Sequence, residues 1–193
     1  MADQLASPSD LASLLQQDLD AATATLVLEA ATAVVQSLVG QRIVEVVGDT
    51  ATLLGTTDGW LYLPQRPVSA VTSVTLDGDP VTEGTTTGTY RRFGSRLWRD
   101  CGWATCHTEP STVVVVYTHG YATGSQELQL ARSAVLSLAR GAYSNPTGVS
   151  REAIDDYSVA YEVASAAVEA SPFLKAALRR QYGRRGGLVR IGG

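Results

Sequence analysis

Residues 112–143 read "TVVVVYTHGYATGSQELQLARSAVLSLARGAY", and the break inside this stretch decides the fold. Four valines and a tyrosine form a β-branched, aromatic run that favours a strand. Past Gly120 the period changes: Leu128, Ala131, Val135, Leu138 and Ala142 recur every three or four residues, which predicts a helix. Thr123 and Gln126 have capping-box spacing, so the helix is expected to start at Thr123. "YSNP" ends it, because Pro146 has no N–H and disfavours helix at Asn145.

The β character extends back to Arg42. "RIVEVVG", "TATLLG", "WLYLP" and "VTSVTLDG" are short apolar runs separated by Gly, Asp and Pro. "TTDGW" and "LDGDP" are turn sequences in which Gly59 and Gly78 are expected to supply positive φ after Asp. "YRRFGSRLWRDCGWATCH" predicts a long hairpin with an exposed tip. Before Arg42 the chain is helical. "SPSDLASLLQQ" carries a Ser7 cap, Pro8 at the first helical position and Asp10 near the positive helix end. "DAATATLVLEAATAVVQSLVG" is an alanine-rich helix with Leu28, Ala31, Val35 and Leu38 on one stripe and Gly40 as its stop.

After Pro146 the segment to Ala170 is weakly patterned and reads as loop with some extended structure. Ser171 and Pro172 open a last amphipathic helix with Phe173, Leu174, Ala177, Leu178 and Tyr182 on one side. "GRRGGLVRIGG" is a tail that orders only against a partner. The expected class is α+β: a helical core of residues 1–41 and 120–170, a β lobe inserted at 42–119, and a partner-docking C-terminal segment, 171–193.

Composition fits a folded chain, with 45% apolar and 18% charged residues. No run approaches ~18 consecutive apolar residues, so no membrane span and no membrane partner are expected. The opening "MADQLASPSD" has no basic region, so no secretory signal is expected and synthesis is read as intracellular. Cys101 and Cys106 are too few for a disulfide framework and read as reduced thiols. Charge is unevenly placed. Residues 1–41 hold five acids and no base, whereas residues 171–193 hold six bases and no acid. Such polarity steers one chain toward another or toward an anionic partner.

Catalysis finds little support. Cys101, Cys106, His107 and His119 are suitable zinc ligand types. Their spacing is not: His107 adjoins Cys106, and His119 follows eleven intervening residues later. Neighbouring Cys106 and His107 point to opposite faces of a strand, so they make no nucleophile–base pair. There is no G-x-S-x-G, P-loop or G-x-G-x-x-G after a strand. Asp155–Asp156 is one dipeptide, and carboxylate sites draw on several elements. No cofactor or metal is expected. His119 reads as a packing position whose imidazole bonds a backbone carbonyl.

The strongest chemical feature is the hairpin. Arg91, Arg92, Arg96 and Arg99 interleave with Tyr90, Phe93, Trp98 and Trp103, a pattern that suits either nucleic acid or a protein interface. With a net charge of −4 and pI near 5.1, the interface is favoured and DNA binding or DNA-end sensing is the alternative.

In order and spacing, "SDLASLLQQDLDAATATLVLEAATAVVQSLVGQRI", "LYLPQRPVSAVTSVTLDG", "VVVVYTHGY" and "ARGAYSNPTGVSREAIDDYSVAY" resemble the head-to-tail connector proteins of long-tailed bacteriophages. These are the adaptors of head completion. The likeness covers residues 9–161 and is nearest to versions from phages of actinobacterial hosts, a bias that one lysine against fourteen arginines fits. The resemblance implies a structural virion protein at the head–tail junction, a ring of copies (commonly twelve) docked on the portal protein. It also implies a lengthened channel through which genomic double-stranded DNA passes without specific binding, and a surface for the next connector, or stopper, or a tail protein. Portal contact is implied for the C-terminal segment, here Phe173, Leu174, Leu178, Arg179, Arg180, Tyr182, Arg184, Arg185, Leu188 and Ile191. The subunit or partner interface falls to Arg91, Arg92, Phe93, Arg96, Trp98, Arg99 and Trp103. The large insertion at 42–119 departs from shorter relatives.

Overall fold

The computed structural model describes residues 4–105, 109–144 and 171–183. It is α+β and divides into two compact units: a helical one of residues 4–44, 123–144 and 171–183, and a β one of residues 45–122.

In the helical unit, α1 (Pro8–Leu15) opens with a reciprocal capping box: Asp10 N–H donates to Ser7 Oγ at 3.3 Å and Ser7 N–H to Asp10 Oδ2 at 2.9 Å. α2 (Ala21–Val39) is capped by Asp20 and stopped by Gly40 in the left-handed region. By length and composition α2 is apolar enough to cross a membrane, although it contains no unbroken apolar run of that length. In this fold half of it is buried, because it packs against α1, α3 (Gln129–Ser144) and α4 (Pro172–Tyr182). Leu28, Ala31 and Val35 of α2 and Ala131, Val135 and Leu138 of α3 supply the core.

Two helix expectations need correction. Thr123 does not cap α3: the chain enters through a 3₁₀ turn, Gln126–Leu128, whose N-cap is Ser125, and α3 proper begins at Gln129. Phe173 is not on the buried side of α4. Leu178 and Tyr182, four apart, face inward, but Phe173 lies five positions before Leu178, off that stripe, and is 87% exposed. The segment 145–170 lies outside the described residues.

The β unit holds two antiparallel sheets around one core. The first has the order β1 (Val46–Leu54), β7 (Thr112–His119), β3 (Val68–Leu76), β4 (Asp79–Pro80). Thr112–His119 thus becomes a central strand, with Val113, Val115, Tyr117 and His119 alternating onto the buried face. The sequence runs "RIVEVVG" and "TATLLG" contribute to the single strand β1, which starts only at Val46 and is bent by a bulge between Val46 and Asp49 where Gly48 has φ +69°. The second sheet has the order β2 (Trp60–Tyr62), β6 (Arg96–Arg99), β5 (Tyr90–Phe93). Its hairpin turns at Gly94, φ +61°. Leu61, Tyr90 and Leu97 enter the shared core.

The two turn glycines differ in kind. Asp77 and Gly78 both have positive φ, 52° and 94°, as a tight hairpin requires. Gly59 does not. It is there for space, since a Cβ would lie 2.8 Å from the Arg99 carbonyl oxygen.

Candidate functional site: an arginine–aromatic sheet face

Side chains directly opposite on paired antiparallel strands share a face. In the second sheet Trp60 pairs with Trp98 and Trp98 with Arg91, while Tyr62 pairs with Arg96 and Arg96 with Phe93. Trp60, Tyr62, Arg91, Phe93, Arg96 and Trp98 therefore form one layer, opposite the buried Leu61, Leu97 and Tyr90. The Arg91 guanidinium carbon sits 4.8 Å above the Trp98 ring, and that of Arg96 sits 5.0 Å from Trp60 and 5.7 Å from Tyr62. Trp60 meets Phe93 edge to face at 5.6 Å. Each such contact contributes on the order of 0.5–1 kcal/mol at an exposed site. They keep the arginines against the rings, and a guanidinium so placed can still offer N–H donors to carboxylate or phosphate.

Of the eight hairpin residues singled out from sequence, four lie on this face. Tyr90 points the other way into the core. The other three brace the lobe. Arg92 donates through Nη1 to the Val68 carbonyl at 3.0 Å. Arg99 donates to the Gly88 carbonyl at 3.0 Å and to that of Gly102 at 2.8 Å. Trp103 is fully buried and donates through Nε1 to the Gly59 carbonyl at 2.9 Å. Trp60 and Tyr62 escaped the sequence reading. They lie about thirty positions upstream, and only the β2–β6 pairing brings them in.

The implied portal residues also divide. Leu178 and Tyr182 belong to the helical unit's own core. The Tyr182 hydroxyl donates to the Glu127 carbonyl, and Gln41 Nε2 donates to the Tyr182 carbonyl at 2.5 Å. Phe173, Arg179 and Arg180 are exposed, and Leu174 is half-buried. Arg184, Arg185, Leu188 and Ile191 lie outside the described residues, as do Cys106 and His107. Cys101 is an exposed free thiol.

His119 corrects an expectation. It is fully buried, but its Nε2 lies 3.0 Å from the Asp49 carboxylate rather than a backbone carbonyl. Its Nδ1 is buried without a partner among the described residues, and its ring tilts against Tyr117 at 5.3 Å. The bulge in β1 re-aims Asp49 to reach it. No nucleophile adjoins the pair among the described contacts, so it reads as a packed joint.

Elsewhere carboxylates secure loops. Asp77 accepts from the Thr105 hydroxyl and from the Thr112 N–H at 2.7 Å; these bonds, the hydroxyl's first, hold its pKa below the usual value. Asp100 is lowered first by the Gly88 N–H. In the helical unit a cleft of about 290 Å³ is walled by Gln4–Ser7, Asp10, Val44, Thr123–Ser125, Leu128, Gln129 and Arg132. An Asp10–Arg132 ion pair of 2.7 Å closes one side. The Ser7 N–H is the leading cause of the lowered Asp10 pKa, with Arg132 adding to it. No group of three or more His, Cys, Asp or Glu side chains suited to a metal occurs among the described residues.

No protein-family model matches the chain, and no curated protein sequence does. Among solved structures, it is similar to a chain from the neck of an empty gene transfer agent particle computed with six-fold (C6) symmetry. The TM-score is 0.60 at 17% identity, covering 97% of this chain and 94% of that one. It is also similar to a chain from the virion of a native gene transfer agent particle, with a TM-score of 0.58 at 17% identity, covering 97% of this chain and 93% of that one. At such identity the likeness is one of fold: the chain shares nearly its whole architecture with proteins from the neck and virion of gene transfer agent particles.

Proposed function

We propose that this chain is a structural protein of a phage-like neck, a ring-forming adaptor between head and tail. The observation that carries the reading is the end-to-end likeness to a chain from a particle neck, covering 97% of one and 94% of the other. Six-fold symmetry in that neck accommodates rings of six or twelve copies, and we favour twelve.

In this reading the exposed side of α4, with Phe173, Arg179 and Arg180, continues into residues 184–191 and docks on the portal protein. The ring lengthens the DNA channel and offers its far side to a stopper or tail protein. Exposed ion pairs between such surfaces are individually weak, but they set orientation and encounter rate. Repetition around a ring multiplies them. The lumen is not arginine-rich, because cationic walls would hold the passing phosphates. The actinobacterial-phage affiliation stays part of this proposal and rests on the sequence resemblance.

The test is electron microscopy of the purified chain mixed with portal rings. The expected result is an added ring on one end of the portal; undecorated portals at saturating concentration would refute the reading.

A second reading, a DNA-binding module, draws on the exposed aromatics beside Arg91 and Arg96, which resemble a base-stacking platform. It ranks below the first because the face carries only two cations, each already lying over a ring.

A further inference from the structure

The geometry points to an occupant for the arginine–aromatic face. We propose that it receives the acidic corner between α1 and α2 of a second copy of this chain, and that this is the contact joining copies head to tail. The proposal rests on the ring reading above and specifies its interface.

The face has a defined chemical demand. Arg91 and Arg96 lie over indoles, and no ion pair engages either of them among the described residues. A cation–π contact leaves guanidinium N–H groups free to donate to a carboxylate, and the ring contact limits how far the side chain wanders. Between and beside the arginines are the exposed rings of Phe93 and Tyr62, 47% and 54% accessible. The fitting partner therefore presents carboxylate and aliphatic surface together.

The chain carries such a partner. α1 ends at Leu15, Gln16 turns the backbone left-handed at φ 55°, and α2 begins at Ala21. The corner between them exposes Asp18, which has no described bonding partner, and Asp20. Asp20 caps α2 through Oδ2 alone, accepting from the Thr23 N–H and hydroxyl at 2.8 and 2.7 Å, so Oδ1 stays uncommitted. Leu14 beside them is 43% exposed. No base occurs in residues 4–41, so nothing in that stretch offsets the corner's negative field. The face belongs to the β unit and the corner to the helical unit. Because the two patches differ, the contact can be made once per neighbour, and in the ring reading it repeats from copy to copy until the ring closes.

Two variants test it. Arg91→Glu with Arg96→Glu reverses the face; Leu14→Lys with Asp18→Lys reverses the corner and leaves the Asp20 cap in place. Circular dichroism and thermal melting establish that both are folded. Sedimentation velocity then follows self-association, alone and with portal rings present. Each variant by itself is expected to associate about 10- to 100-fold more weakly than the parent chain. Mixed one to one, they are expected to form a dimer and nothing larger, because one intact face meets one intact corner.

Rings formed by either variant as readily as by the parent, or a mixture that stays monomeric, would overturn the contact and leave the ring reading standing. A parent chain that never associates, even on portals, would overturn both. Oligonucleotide binding abolished by the face variant while self-association persists would also overturn the contact, in favour of a nucleic-acid platform.

Discussion

His119 shows what one residue contributes when its partner is remote in sequence. The imidazole is buried to the last atom, with a carboxylate on one nitrogen and a tyrosine ring against its side. His119→Ala should cost about 2 kcal/mol from the cavity and the lost bond, read as a lower midpoint in chemical denaturation. No activity is expected to vanish with it. A packing role for His119 followed from its place at the end of the valine strand, just before Gly120. Asp49, seventy positions away, did not, because a one-residue bulge decides which face it takes. Asp77 makes a second residue-scale prediction. Its hydrogen bonds lower its folded pKa, so its stabilisation is complete above the unfolded value of about 3.9 and disappears as pH falls through the folded pKa. Asp77→Asn keeps a side chain that tolerates φ 52° but removes the charge. It should lower stability at neutral pH and flatten the loss of stability on acidification, measured by denaturant titration at a series of pH values.

Elements were more legible than residues, because periodicity is a property of elements. The valine strand, the hairpin and the stripe Leu128–Ala142 are each where the pattern puts them. Their boundaries were less so: the 3₁₀ turn ahead of α3 carries no signal beyond Thr123 and Ser125, which look alike as caps. α4 is the instructive case. Read as a docking helix alone, it instead has two unlike sides, with Leu178 and Tyr182 buried in the core and Phe173, Arg179 and Arg180 exposed. Leu178→Ala should destabilise the protein by about 2–5 kcal/mol, since it empties a core site. Phe173→Ser with Arg180→Glu should change stability by no more than about 0.5 kcal/mol. If α4 docks on the portal, that second pair should nevertheless abolish decoration in the microscope. A melting curve and a binding assay separate the two sides. The face of Trp60, Tyr62, Arg91, Phe93, Arg96 and Trp98 was half legible for a similar reason. The hairpin is local, but strand β2 joins it from a distance, and side-chain alternation then moves Arg92 and Arg99 out of the layer that holds Arg91 and Arg96.

For the whole molecule, charge makes the plainest prediction. With net charge −4 and two unpaired arginines on its aromatic face, the isolated chain should bind duplex DNA weakly at near-physiological salt, and the residual binding should fall steeply as salt rises. Electrophoretic mobility or fluorescence anisotropy across a salt series measures it; tight, salt-tolerant binding would favour the nucleic-acid reading. The division into a helical and a β unit has a different consequence. The Glu45 N–H donates to the Tyr121 carbonyl at 2.9 Å, so the strand-rich segment begins and finishes at one point. A stretch whose termini already touch can be lengthened, trimmed or exchanged for another without re-routing the chain that flanks it, since closing the loop asks almost nothing further of that chain. Related proteins are therefore free to differ most in this segment while keeping the same helices.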